Sequence, residues 1–260
     1  RIFERGRGGL QATAKGEELI LRAQKILRDM RDLRSAMASD LPFSGRLRLG
    51  VLPSIGPYLL PQVIHDIHRQ QPGLRVIVRE ENTRDLERGL KSGQFDLIIS
   101  TPEDHPNTHQ RRLFNETLWV AVARDDILAR SQSGVRAEDL RGRQLLTLDQ
   151  GHRLSRIVYA LAADCGGIVS DDYEGTTLDS IVLMAASGIG VAILPELFTR
   201  RQAVFRDEVT VRPLQIANAS RDIALLARGQ DTLGAGHDML ISALHGAAQT
   251  LGLALRGIER

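Results

Sequence analysis

The sequence predicts an α/β protein of two Rossmann-like lobes with a long helix in front of them. Three observations lead there. Apolar strand-like segments take turns with segments of helical periodicity, and the whole series occurs twice. A stripe of apolar residues at heptad spacing precedes the first series. A chain of 260 residues with 42% apolar content is long enough to enclose more than one core of ordinary size.

The front helix comes first. Leu19, Ala23, Ile26, Met30, Leu33 and Met37 alternate steps of four and three, and the surface between them is mostly Arg, Asp, Glu, Gln and Lys. A lone helix gains little from such a seam, so residues 17–41 are read as a linker or dimerisation helix. Its partner is the same helix of a second subunit, in a homodimer or homotetramer, or the chain's own globular part. Residues 39–45, with Pro42 and Gly45, form a hinge.

The first series follows. Leu47, Leu49 and Val51 alternate with Arg46, Arg48 and Gly50 as in a strand, and Ser54 stands where it can cap a helix carrying Leu59, Leu60, Val63, Ile64 and Ile67 on one side. Pro72 and Gly73 turn into a strand through Val76 and Val78, Thr83 opens a short helix around Leu86 and Leu90, and Gly93 precedes a buried strand at 95–99. The second series has strands around Val120 and Val122 and at 144–148, then a helix with Leu154, Ile157, Val158 and Leu161. A strand near Ile168 leads to Thr176 and Thr177, which can cap a helix with Leu178, Ile181, Val182 and Ala185; Gly188 and Gly190 end it before a strand at 191–194. A strand at 223–227 and a last helix with Met239, Leu240, Ala243, Leu244 and Leu251 can return to the first lobe. Residues 45–117 and 222–260 then make lobe I and 118–221 lobe II, with two crossings and a cleft between them.

Several function classes drop out. The net charge of +2 reflects nearly balanced acids and bases and says little about nucleic acid. No run of about 18 apolar residues is present and no leader precedes the first residues, so the chain is read as cytoplasmic. One cysteine, Cys165, excludes an intrachain disulfide framework. His105 and His109 with Asp104 lie among Pro and Asn and are read as a solvated loop, without a metal. Gly188 and Gly190 follow a helix, so they are no dinucleotide fingerprint. No nucleophile, base and orienting acid are spaced for catalysis, so neither an enzyme nor a cofactor is expected.

Five local sequences, in this order and spacing, resemble the LysR-type transcriptional regulators: RIFER at 1–5, LQATAKGE at 10–17, SGRLRLG at 44–50, SGQFDLII at 92–99 and ASGIGVAILP at 186–195. The resemblance implies a winged helix-turn-helix, a linker helix and an effector domain like the type 2 periplasmic binding proteins. It implies that residues 1–16 are the remnant of the wing in an N-terminally truncated chain, with Arg5 and Arg7 against the DNA backbone or minor groove. Specific operator binding would then need the missing N-terminal part. PSIGPYLLP at 53–61 and residues 145–154 resemble the peroxide-sensing OxyR branch, with one departure. Where that branch reads Gly-His-Cys, with the peroxidatic cysteine last, this chain reads Gly151, His152, Arg153. A guanidinium cannot become a sulfenic acid, and Cys165 lies 12 positions on, roughly 18 Å along a helix. Cysteine-based peroxide sensing is excluded.

The resemblance puts Ser54, Thr83, Ser100, Thr101, Thr147, His152 and Arg153 at or near the cleft. Ser54 and Thr83 fall where strands give way to helices, so their hydroxyls and the free N–H groups beyond them either receive an anion or cap their own helices. Arg153 and Arg156, three apart near a helix start, share a face and need a counter-charge. A carboxylate or phosphate ligand supplies it, or Asp149 and solvent do. His152 orients a ligand or caps the helix. The expected function is a regulator whose small anionic effector binds between the lobes. The rival is a two-lobed solute-binding protein, against which the heptad helix and the absent leader both speak.

Overall fold

The computed structural model describes residues 1–6, 9–38, 41–149, 151–171, 173, 175, 177–201, 209–217, 219–229 and 235–255. Its first elements are an antiparallel hairpin, β1 (Phe3–Gly6) and β2 (Gly9–Ala12), and the helix α1 (Ala14–Ala38). Thr13 joins them: its Oγ1 accepts from the Gly16 N–H at 3.1 Å and donates to the Arg1 carbonyl at 3.0 Å. A Cβ at Gly16 would lie 2.0 Å from the Ile2 carbonyl oxygen, so a side chain there would push the hairpin off the first helical turn. Along α1 the residues Leu19, Ala23, Ile26, Met30, Leu33 and Met37 are all exposed, as is Leu27. The stripe does not pack on the chain's own globular part. Arg5 is exposed on β1, and Arg7 lies outside the described residues.

Between α1 and the globular part, Phe43 and Ser44 both take φ of 52°, in the left-handed region that side chains other than glycine rarely adopt. The Phe43 ring meets His237 edge-on at 5.1 Å and packs on the core, which holds this turn in place.

The first lobe is built as its periodicity requires. In β3 (Arg46–Val51) Leu47, Leu49 and Val51 point into the core, and the helix α2 (Gly56–Gln70) buries Leu59, Val63 and Ile67 against it. Then come β4 (Arg75–Glu80), α3 (Thr83–Ser92) and β5 (Leu97–Ser100); β3 lies between β4 and β5, parallel to both. The expected cap at Ser54 is not made. Ile55 occupies the N-cap of α2 and no side chain caps it. Asn82, not Thr83, caps α3, accepting from the Asp85 N–H at 3.0 Å, because its carbonyl oxygen reaches back from one position earlier.

Strand β6 (Thr108–Ala123) is 16 residues long and joins the lobes. Up to Thr117 it pairs with a late strand of the first sheet, and from Leu118 onward it pairs with strands of the second. The second lobe continues with β7 (Gln144–Leu146), α4 (Arg153–Cys165), β8 (Ile168–Val169), α5 (Leu178–Ala186), β9 (Val191–Pro195), α6 (Glu196–Arg201) and β10 (Val209–Pro213). Thr177 caps α5 through the Ser180 N–H, whereas Thr176 lies outside the described residues. The chain returns through β11 (Ser220–Arg228), α7 (Ala235–Thr250) and β12 (Ala254–Leu255). The strand order is β4-β3-β5-β11-β6-β9-β7-β8, with β10 and β12 also on β6. The chain therefore passes between sheets twice, within β6 and between β10 and β11, and Ser220 and Arg221 already belong to the first sheet. Among the described residues no helix is long and apolar enough to cross a membrane.

Candidate functional site

Both crossings carry a charged residue into the interior. Glu116 lies on β6 immediately before the switch of sheets and Arg221 on β11 immediately after the return; their side chains are 0% and 2% exposed. The Arg221 Nε donates to Glu116 Oε1 at 2.7 Å, its Nη2 donates to Ser54 Oγ at 3.0 Å, and Glu116 Oε2 accepts the Leu197 N–H at 3.0 Å. Glu196 answers in the opposite direction, accepting from the N–H and hydroxyl of Thr117 at 3.2 and 2.9 Å. The cluster ties Ser54 of the first lobe, both crossings and the start of α6 together. A buried ion pair tolerates its loss of water only where hydrogen bonds fill the remaining valences, as they do here.

A second charged contact bridges the lobes. The 102–104 turn after β5 presents Asp104 to α4, where its Oδ1 accepts from Arg153 Nη1 at 3.1 Å and Arg156 Nη2 at 2.9 Å; its Oδ2 accepts from Thr101 Oγ1 at 2.6 Å. The Asp104 side chain is 5% exposed, Arg153 28% and Arg156 53%, so one shielded carboxylate faces two partly wet cations. The counter-charge is thus Asp104, not Asp149. Asp149 instead accepts the Gly151 N–H at 2.8 Å and stands 3.6 Å from His152 Nε2. The solvated-loop reading of 104–109 is also corrected. His105 is 1% exposed, with Nε2 3.0 Å from Ser100 Oγ, because the turn folds back under β5; His109 is exposed on β6.

The remaining sequence-nominated groups are buried or half-buried. Ser54, Ser100 and Thr101 have internal partners. Thr83 Oγ1 and Thr147 Oγ1 are buried without a hydrogen-bond partner among the described residues, as are Arg153 Nε and Ser155 Oγ. A Cβ on Gly151 would come 4.0 Å from the Asn82 amide nitrogen, so the start of α3 faces the turn that ends in His152. His152 occupies the N-cap of α4 without a side-chain capping bond. Burial lowers its imidazole pKa from the usual range, Asp149 opposes that shift and Arg221 adds to it. Burial likewise lowers the pKa of His105, against the neighbouring Asp104. The arrangement can hold an anion by charge and hydrogen bonding. Cys165 lies at the far end of α4, buried, its thiol pKa raised by burial and then by Asp164.

Glu116 and Arg221 escaped the sequence reading, and Asp104 was read only as part of a solvated loop. Glu116 did carry a signal, as an acid two positions from Phe114 and from Leu118 at the alternation of a strand face, and Arg221 stands two positions before the apolar run 223–227.

Residues 42–249 match the family described as LysR substrate binding domain. The chain is 30% identical over 246 residues to the hydrogen peroxide-inducible genes activator of Dickeya chrysanthemi, covering 94% of this chain and 80% of the relative. It is 28% identical to the HTH-type transcriptional regulator EstR of Acinetobacter baylyi, covering 96% and 83%. Among solved structures it is similar to a full-length OxyR variant from Pseudomonas aeruginosa, with a TM-score of 0.74, 26% identity and coverage of 94% of this chain and 82% of that one. The oxidised form of OxyR gives 0.69, 29% identity and coverage of 79% and 96%. The two-lobed α/β fold and the match over most of the chain place the protein in the LysR substrate-binding-domain family, whose members are transcription regulators and not enzymes.

Proposed function

We propose that this chain is the linker and effector-sensing part of a LysR-type regulator, and that its effector is a small anion that acts between the lobes at Arg153 and Arg156. The observation that carries the reading is the Asp104 bridge. An internal carboxylate from one lobe already sits on two guanidinium groups of the other, so an external anion competes for a contact that helps to set the lobe angle. Thr83 and Thr147 carry buried hydroxyls without hydrogen-bond partners among the described residues, and we take these two, with His152, Ser54, Ser100 and Thr101, to face the anion. Arg153 replaces the peroxidatic cysteine of the OxyR branch, so a bound ligand takes the part of a redox event. The exposed α1 stripe pairs subunits, and a change of lobe angle reaches DNA through that pairing. Arg5 and Arg7 contact the DNA backbone, and the protein works in the cytoplasm. The switch needs roughly 1–3 kcal/mol of coupling.

The test is thermal unfolding against mono- and dicarboxylates, sugar phosphates and neutral amino acids, with Arg153→Ala alongside. One anion at about 100 times its Kd should stabilise the chain by about 2.7 kcal/mol, a shift of several degrees that Arg153→Ala abolishes. No shift with any anion, or one that Arg153→Ala retains, rejects the reading.

A further inference from the structure

A groove of about 390 Å³ runs along α4 on the second lobe. One wall is the face of α4 made by Arg153, Arg156, Ile157, Ala160, Leu161 and Asp164; the other is the crossing segment, from Ile216 and Ala217 to Ala219 and Ser220. The volume is that of a small-molecule site. Its chemistry is graded. Two cations stand at the N-terminal end, aliphatic side chains fill the middle, and an acid closes the C-terminal end. Arg156 and Asp164 are eight residues apart, about 12 Å along the helix.

We propose that this groove binds the apolar body of a medium-chain monocarboxylate whose head group takes the place of Asp104 on Arg153 and Arg156. The proposal rests on the reading that an anion acts at those two arginines, and it names the class of that anion. Charge complementarity fixes the orientation: the head meets the guanidinium groups, including the buried Arg153 Nε, which has no partner among the described residues. Asp164 fixes the selectivity. A second carboxylate at the far end of the chain would meet a like charge, so a monocarboxylate is accepted and the dicarboxylate of equal length is refused. The apolar body lies between α4 and the segment that returns to the first lobe. Filling the groove thus acts on the second crossing while the head group releases Asp104.

The experiment is calorimetric titration of the full chain with octanoate below its micellar concentration, with acetate, octanedioate and octanol as controls. Octanoate is expected to bind one to one, at least about tenfold tighter than each control, a difference of about 1.4 kcal/mol. Ala160→Trp and, on the other wall, Ala217→Trp should each abolish octanoate binding; both alter exposed positions, so the fold survives. Asp104→Asn should tighten binding by removing the competitor. Arg88→Ala, on the exposed face of α3, should leave it unchanged. Octanoate binding no tighter than acetate, or binding that survives both tryptophans, overturns the groove. If Thr83→Val removes binding and the tryptophans do not, the ligand lies between the lobes: the groove fails and the anion reading stands. If no anion of any length responds to Arg153→Ala, both fail.

Discussion

The Arg221 guanidinium donates to the Glu116 carboxylate at 2.7 Å across a sequence separation of 105 residues, with both side chains sealed from solvent. One residue belongs to each crossing between the lobes, so this contact holds the two crossing strands side by side where the sheets part. Its partners, Ser54 and the Leu197 N–H, bring in both lobes.

Arg221→Met should therefore destabilise the chain by about 3–5 kcal/mol, the usual consequence of leaving one buried charge without its partner. Urea unfolding measures it. Pairing the change with Glu116→Gln should recover most of the loss. A loss below about 1 kcal/mol in the single variant would show that the contact does not secure the hinge.

Thr83→Val and Thr147→Val should behave in the opposite way. Each removes a buried hydroxyl without a partner among the described residues and keeps its shape, so stability should stay the same or rise slightly, by about 1 kcal/mol at most. Both should weaken the response to a small anion held between the lobes. Loss of stability without ligand would mean that the hydroxyls serve the fold.

Stability should fall on mild acidification. Burial lowers the imidazole pKa values of His105, His152 and His245 in the folded chain, so the unfolded chain binds more protons once the pH drops below the ordinary value of about 6.5. The stability is fully present above that value and is lost as pH falls from it towards the depressed folded values. Urea midpoints between pH 8 and pH 5 test this. His105→Gln should flatten the slope, and midpoints that rise on acidification would contradict the assignment.

Peroxide should leave Cys165 unchanged. Cys165 is buried, its thiol pKa is raised, and no second cysteine exists to resolve an intermediate. Peptide mapping by mass spectrometry after mild peroxide treatment should show an unmodified Cys165. Stoichiometric oxidation there, abolished by Cys165→Ala, would restore a redox role.

Much of the fold was legible because strands and helices with one buried face write their period into the chain. Leu47, Leu49 and Val51 alternate, and Leu154, Val158 and Leu161 recur at helical steps. The first half of β6 was not legible, because Thr108 to Arg112 present polar side chains and pair through the backbone. Strand β12 has two residues, too few to show a period, whereas β8, equally short, was placed near Ile168 by the turns around it. At the site, the sequence named Arg153 and Arg156 and their need for a counter-charge. It could not supply Asp104, 49 and 52 residues earlier, because that pairing is made by the docking of one lobe on the other. The misplaced caps at Ser54 and Thr83 have a similar cause. A hydroxyl near a helix start does not reveal whether its own helix, a distant arginine or no group claims it.

The central claim is that an anion at Arg153 and Arg156 displaces Asp104 and thereby changes the angle between the lobes. Pulsed electron resonance between spin labels at Arg88 on α3 and Ala163 on α4, both exposed, reads that angle directly once Cys165 is replaced by Ala. With the stabilising anion, the distance distribution should shift, Asp104→Asn should produce part of the shift without ligand, and Arg153→Ala should prevent it. An unchanged distribution with anion bound at saturation would contradict the account.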